Sequence, residues 1–470
     1  MPRSIKLIGL DCGSTTTSLV VASARLTEGA VGRIEIRDLT PTFESPLVFT
    51  PFVDDQIDRP KLEAFVDGWL SESALDPAEL FGGGALVTGL AARRGNAACI
   101  TEIVEARLAD AVIATANDPC LESWLAFMGN CQSLSRSRPA EPFVNIDVGG
   151  GTTNLAWGID GQVTVTACLL VGARHFQFLS GTYEVSQLTP EASALADYLN
   201  IECRLGVTLA PAEIAAITNW YVELIEAAVT GDSQRLNSPI TRLHTQIAPP
   251  RHEVASPATV TLSGGVGQLV YQRELQHRPQ TTTEFGDLGG ELAARIVESH
   301  VLAADLRTAT PAGLGRATVY GLLRHATQSA GATVHLPQPE RLPLKNVAIV
   351  GRLTPQSTDV EIQRTLDLAM RGVAGCVWVD LAEDDSQATV DLANRVSREL
   401  AALPHSGDRT LVVLVPANLG KVFGGYVSRW GSLAVDLIVL DEVSPRDAQF
   451  VRIGRPVDGA VGVSLYGMGG

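Results

Sequence analysis

Two aspartates each stand two places before a glycine in a turn rich in hydroxyl side chains: Asp11-Cys12-Gly13-Ser14-Thr15-Thr16 and Asp147-Val148-Gly149-Gly150-Gly151-Thr152-Thr153. Glycine lets a backbone approach phosphate oxygens closely, and Ser or Thr hydroxyls add donors where no long basic patch is present. Gly13, Ser14, Thr15 and Thr16 therefore form one candidate phosphate grip, and Gly149, Gly150, Gly151, Thr152 and Thr153 an opposing one. Asp11 and Asp147, at the carboxyl ends of strand-like runs, are placed to hold the waters of a hard magnesium ion, and either can orient an attacking water. Transfer to water needs mainly positioning and charge neutralisation, so this set suits ATP hydrolysis with few further groups. A third turn, Ser263-Gly264-Gly265-Val266-Gly267, follows strand-like Val260-Thr261-Leu262. By itself it is a strand-to-helix turn; as the third in order, Gly264, Gly265, Val266 and Gly267 read as a flat surface under adenine and ribose.

The elements that carry these turns repeat. Residues 5–26 read as strand, turn and strand, with Val31–Asp38 as a third strand, a meander unlike a βαβ unit. A helical stretch at Lys61–Ser73, a strand at Gly82–Thr88 and an Ala-rich helical run at Ala97–Ala116 complete a first lobe over residues 1–140. At Phe143 the pattern restarts: strand, glycine turn, strand Leu155–Ile159, an Asp160-Gly161 hairpin turn and strand Gln162–Leu169. Helices are expected at Pro190–Asn200, Pro211–Thr230 and Leu314–Gln328, the last with small residues, Gly315 to Gly321, that permit close helix packing. The second lobe spans 141–331. A C-terminal α/β unit, 332–470, opens with strand-like Ala332–Leu336 and continues with helix Ser386–Leu403 and strands Thr410–Val415 and Leu433–Leu440.

With 470 residues and 45% apolar content the chain supports about three domains. A net charge of −16 opposes non-specific binding to nucleic acid or anionic membrane, so neither is an expected partner. Apolar runs such as Leu411–Val415 fall far short of a membrane span, and no signal core follows Met1-Pro2-Arg3, which makes the cytoplasm the expected location. Seven scattered cysteines form no Cys-x-x-Cys pair and read as small buried thiols in a reducing compartment. A P-loop fails because Gly420-Lys421 is followed by Val422, and Gly265-x-Gly267 lacks the third glycine of a dinucleotide fingerprint.

The order of these motifs, ending in Ala317-Thr318-Val319-Tyr320-Gly321, resembles the actin, Hsp70 and sugar-kinase ATPase superfamily. The resemblance implies two ribonuclease-H-like lobes closing over MgATP, an α/β fold with an additional C-terminal α/β domain. More specifically, Leu121-Glu122-Ser123, Gln132-Ser133-Leu134-Ser135, Thr166-Ala167-Cys168-Leu169, Asp287-Leu288-Gly289, Leu342-Pro343-Leu344, Leu419-Gly420-Lys421 and Asp441-Glu442-Val443 resemble the reactivating factors of ethanolamine ammonia-lyase. That resemblance implies a chaperone-like ATPase that releases damaged cobalamin from an adenosylcobalamin-dependent ammonia-lyase. It would act alone or as a homo-oligomer, free in the cytoplasm or associated with a bacterial microcompartment. A small-molecule kinase and a nucleotide-dependent assembly protein are the alternatives within the superfamily.

Overall fold

The computed structural model describes residues 3–13, 16–28, 34–53, 56–76, 79–87, 96, 98–108, 112–114, 119–250, 258–277, 281–311, 313–331, 333–382, 384–403, 409–446 and 448–466. The chain opens with β1 (Arg3–Cys12), β2 (Thr16–Glu28) and β3 (Ile34–Glu44), then short strands β4 (Val48–Phe49), β5 (Phe52–Val53) and β6 (Gln56–Ile57). Helix α1 (Arg59–Glu72) starts where the Asp58 carboxylate accepts the Lys61 N–H and Pro60 presets the first turn. It leads to β7 (Leu80–Val87), α2 (Ala98–Arg107) and β8 (Val112–Ala114). Strands β1, β2 and β3 pair antiparallel, and β7 and β8 add parallel beyond β1, giving the order β3-β2-β1-β7-β8.

Helices α3 (Pro119–Asn130) and α4 (Gln132–Ser137) precede the restart, β9 (Phe143–Val148), β10 (Thr153–Ile159) and β11 (Gln162–Leu169). The β10–β11 hairpin turns at Asp160 (φ 50°) and Gly161 (φ 70°), the positive-φ pair that a two-residue turn between twisted strands requires. There follow β12 (Phe176–Phe178), β13 (Val185–Leu188), α5 (Pro190–Tyr198), α6 (Pro211–Thr230), α7 (Ser233–Leu236), α8 (Pro239–Leu243), β14 (Thr245–Ile247) and β15 (Thr259–Ser263). In this sheet, ordered β14-β11-β10-β9-β15, β15 lies parallel to β9 as β7 does to β1. The registers match as well: Asp11 pairs with Ser18 and Asp147 with Asn154, seven places on in each case. Two copies of one architecture therefore present corresponding aspartates, which is the duplicated fold of the actin and Hsp70 type. Ile214, Ile217, Leu224 and Ile225 form the apolar stripe of α6 and lie in the same core as Val144, Ile146 and Leu262 of the second sheet.

After α9 (Gly264–Gln276) and α10 (Gly289–Val297), helix α11 (Ala317–His325) returns to the first lobe and crosses α3. The crossing is tight enough to exclude side chains: a Cβ at Gly129 would lie 1.8 Å from the Ala317 carbonyl oxygen, and one at Gly321 would lie 2.2 Å from that of Leu125. Helix α11 runs almost directly into β16 (Gln328–Ala330), an edge strand of a seven-stranded sheet. The rest of that sheet comprises β17 (Leu344–Leu353), β18 (Ala374–Val379), β19 (Thr410–Leu414), β20 (Asp436–Leu440), β21 (Phe450–Val457) and β22 (Ala460–Tyr466). Its order is β16-β22-β21-β17-β18-β19-β20, with β17 to β20 parallel. Helices α12 (Asp359–Ala369), α13 (Ser386–Ala402) and α14 (Gly420–Val427) connect the parallel strands and cover one face through Ile362, Leu392 and Phe423. The sheet rests on the first lobe: Thr327 Oγ1 accepts the Gly83 N–H at 2.9 Å, and Ser329 donates to the Ile34 carbonyl at 2.6 Å.

Three expected elements differ. The helical run Ala97–Ala116 stops at Arg107, and β-branched Val112-Ile113 instead enters β8, in register with Gly84 and Ala85. The Leu314–Gln328 helix is confined to α11, because Gln328–Ala330 is captured as β16 by β22. Residues 333–336 are not a strand; they pair with the sheet through one bridge, His335 to Val439, and pack Val334 and Leu336 on its core. Among the described residues no helix is long and apolar enough to cross a membrane. Five of the seven cysteines are buried, with Cys120 and Cys203 half-buried, and burial pushes the Cys12 and Cys376 thiols far up.

Candidate functional site

The same backbone bond closes each glycine turn. The Gly13 N–H donates to the Thr16 carbonyl at 2.9 Å, and the Gly149 N–H to the Thr152 carbonyl at 2.9 Å. Thr50 secures the first turn by donating to the Gly13 carbonyl at 2.7 Å. Ser14 and Thr15 lie outside the described residues. His175 secures the second: its ring is fully buried, with Nε2 2.8 Å from the Gly151 carbonyl and Nδ1 2.7 Å from Thr189 Oγ1. A carbonyl only accepts, so Nε2 carries a proton; in the neutral imidazole Nδ1 then accepts from the Thr189 hydroxyl.

The turns open on one cavity of about 350 Å³ between the lobes. It is lined by Asp11, Gly13, Thr16, Asp147, Gly149, Gly150, Thr152, Gly264, Gly265 and Val266 of the expected set. Gly151, Thr153 and Gly267 stand behind it. The Gly151 carbonyl is taken by His175, Thr153 Oγ1 donates to the Val171 carbonyl at 2.9 Å, and Gly267 packs on Leu262. The third turn is the first turn of α9. Gly264 has φ +78°, and a Cβ there would lie 2.5 Å from the Val148 carbonyl oxygen and 2.9 Å from an Asp147 carboxylate oxygen. Glycine is thus required where the third turn passes over the second.

The two carboxylates are held differently. Asp11 Oδ2 accepts from Thr318 of α11, while its Oδ1 is buried without a hydrogen-bond partner. Burial pushes Asp11 up to about 7, with the negative charge of Asp147 adding to the effect. Asp147, pushed up to about 6 by burial, accepts from Ser263 Oγ at 2.6 Å. Ser263 accepts from Asn145 Nδ2 at 3.0 Å, and Asn145 Oδ1 accepts from Asn130 Nδ2 at 2.7 Å. A buried polar chain thus runs from the end of α3 to Asp147 and fixes the orientation of its carboxylate.

Further chemistry reaches the cavity from residues that the motif spacing did not assign. Glu122, in the first turn of α3, lines it, as do Gln268, Asp287 and Thr318. Asp287 caps α10 by accepting the Gly289 N–H at 2.8 Å; burial raises it to about 6, tempered by that bond and by Arg174. Glu122 and Asp287 occur in short patches that resemble the reactivating factors, but no spacing ties either to a glycine turn. Only the return of α3 and α10 to the cleft does so. Across the mouth, Phe49 of the first lobe meets Phe285 of the second at a 6.2 Å centroid distance, with the Arg174 guanidinium 5.6 Å from the Phe49 ring centre. Burial lowers the Arg174 pKa, and Asp287 partly offsets the effect.

Duplicated lobes with an aspartate from each facing a shared cleft define the actin-like ATPase fold class. Within it, this chain belongs to the family described as ethanolamine utilisation protein EutA, which it matches over residues 3–465. It is similar to the ethanolamine ammonia-lyase reactivase EutA of Escherichia coli, with 28% identity over 477 residues covering 97% of this chain and 96% of the relative. The protein of the same name from Salmonella typhimurium is 28% identical over 473 residues, with the same coverages of 97% and 96%. Among solved structures the chain is similar to the Ppx-GppA enzyme of Aquifex aeolicus, at 14% identity and a TM-score of 0.34, over 58% of this chain and 72% of that one.

Proposed function

We propose that this protein is an ATP-hydrolysing reactivase for an adenosylcobalamin-dependent ethanolamine ammonia-lyase, releasing damaged cobalamin so that intact adenosylcobalamin can bind. The observation that carries the nucleotide half is the single cavity into which both lobes bring an aspartate and an identically closed glycine turn. The lyase half is supported by family membership and by the name of relatives aligned over 97% of the chain.

In this reading the backbone at Gly13, Gly149 and Gly150, with the Thr16 and Thr152 hydroxyls, holds the phosphates. Ser14 and Thr15 would complete the first grip. Gly264, Gly265 and Val266 carry the nucleoside, with Asp287 beside them. Glu122 is the candidate for holding the attacking water, since its helix places a carboxylate in the same cavity as Asp147. Asp11 and Asp147 fit a magnesium site: burial disfavours both charges, and one Asp11 oxygen is buried without a partner. A magnesium ion there would keep several waters and bind the substrate phosphates. When bound, magnesium neutralises phosphate charge. The chain's own part is to keep Asp11 on Thr318 and Asp147 on Ser263, so that both carboxylates stay oriented.

Coupling requires the nucleotide states to differ in their affinity for the lyase, since a ligand shifts a conformation only through differential binding. The test is to incubate cobalamin-inactivated lyase with the protein, MgATP and fresh adenosylcobalamin. Recovery of deamination that is lost on Asp147→Ala is expected. Absence of recovery with wild-type protein that does hydrolyse ATP would overturn the lyase assignment, and absence of hydrolysis would overturn the ATPase itself.

A further inference from the structure

Three arginines from separate segments converge on the outer side of the two helices that join the lobes. Arg446, in the loop between β20 and β21, lies with its guanidinium 5.7 Å from the ring centre of Trp124 on α3 and donates to the His325 carbonyl at 2.9 Å. His325, the last residue of α11, meets Trp124 edge to face at 5.2 Å. Burial, with the nearby charges of Arg446, Arg324 on α11 and Arg136 on α4 adding to it, presses His325 down to about 3, so the imidazole is neutral. The stem of Arg136 lies against Gly161, where no side chain would fit. Among the described residues no carboxylate forms an ion pair with Arg136, Arg324 or Arg446, although the chain carries 52 acidic residues against 36 basic ones.

Like charges gathered without a counter-charge repel one another, and folded chains keep such sets where an anion completes them. We propose that the Arg136, Arg324 and Arg446 cluster around Trp124 is a docking surface for an acidic segment of a partner protein. The side chains spread over a surface with exposed Arg136 and Arg324, and the 350 Å³ cavity of the cleft does not include them. A small anion favours a concave site, whereas a half-buried Trp flanked by arginines has the composition of a protein–protein anchor. The position has a consequence for coupling. Trp124 stands two residues from Glu122 on α3, and Arg324 follows Thr318 on α11, so a partner seated here grips both helices that reach into the cleft. This inference is independent of what the cleft hydrolyses.

The test measures fluorescence anisotropy of a fluorescein-labelled deca-glutamate peptide against the full chain at 50 and 300 mM NaCl, with inorganic tripolyphosphate as competitor. Wild-type protein should bind the peptide at least tenfold more tightly at the lower salt, and Arg136→Glu and Arg324→Glu should each weaken binding at least tenfold. Both side chains are exposed, so the variants should keep the wild-type unfolding transition; Arg446→Glu is the stronger but riskier change. Equal peptide binding by wild type and both exposed-site variants, or no wild-type binding at 50 mM NaCl, overturns the proposal. Tripolyphosphate binding more tightly than the peptide through the same arginines overturns it in favour of a small-anion site.

Discussion

Replacing Gly321 by alanine tests the crossing of α3 and α11 more sharply than any change to the cleft. The added methyl would lie 2.2 Å from the Leu125 carbonyl oxygen and 2.8 Å from its carbon, with the Leu125 Cα at 3.0 Å. Comfortable contact needs roughly 3.5 Å, so the helices must part by about 1 Å. Overpacking of this kind costs about 1–3 kcal/mol or more, against which alanine recovers about 1 kcal/mol of helix propensity. The net loss should be about 1 kcal/mol, rising to about 2 kcal/mol if the crossing cannot relax. Function should suffer more, because α11 carries the Thr318 hydroxyl that holds Asp11, and α3 carries Glu122. A 1 Å displacement of catalytic groups can cost on the order of 10²-fold in turnover. Urea unfolding gives the first number and steady-state phosphate release from MgATP the second. Gly68→Ala is the control: it lies within α1 with nothing within 4 Å of its Cβ, so the same substitution should stabilise by about 0.5–1 kcal/mol. If Gly321→Ala matches wild type in both assays, or Gly68→Ala loses as much, the close-packing argument fails.

Three further outcomes follow from the same geometry. Asp147 has a folded pKa of about 6 against 3.8 unfolded, so its ionisation opposes folding: stability is fully present below the unfolded value and falls as pH rises through about 6. In EDTA without nucleotide, Asp147→Asn should therefore gain on wild type by about 1.5 kcal/mol between pH 5 and 8 in urea titrations; a pH-independent difference refutes this. Asn130→Leu removes the amide that holds Asn145 and should lower phosphate release about tenfold with little change in nucleotide affinity, a split visible in kcat against KM. His175→Ala leaves the Gly151 carbonyl unpaired in a buried setting; a loss of about 1–3 kcal/mol with weakened nucleotide binding is expected, and wild-type affinity by calorimetry would count against its positioning role.

The parts of the site legible in the sequence were those whose chemistry is local. A strand ending in aspartate and glycine is encoded within ten residues, and the duplication showed because Asp11 and Asp147 repeat the same spacing and the same register. Glu122, Asp287 and Thr318 lie in patches that carry the family resemblance, but no spacing ties them to a glycine turn; the tertiary return of α3, α10 and α11 to the cleft places them. The supporting chain Asn130–Asn145–Ser263–Asp147 spans four segments and has no short-range pattern. The C-terminal sheet was the least legible region. Strands β19 and β20 were read from the apolar runs Thr410–Val415 and Leu433–Leu440, but β18 (Ala374–Val379), a buried run with no alternation to mark it apart from a buried helix, was not.

The continuity of α11 with β16 makes the first lobe and the C-terminal sheet one mechanical arm. Strand β16 is bonded to the first lobe at Ile34 and, through Thr327, at Gly83, while β20 lies at the opposite edge of the same sheet. Six strand spacings of about 4.8 Å separate these edges, roughly 29 Å. A turn of about 10° between the lobes would sweep β20 through about 5 Å relative to the second lobe, an excursion comparable to one helical turn. Under the proposed coupling, the sheet would turn a small change of angle at the cleft into a displacement of that size at its far edge.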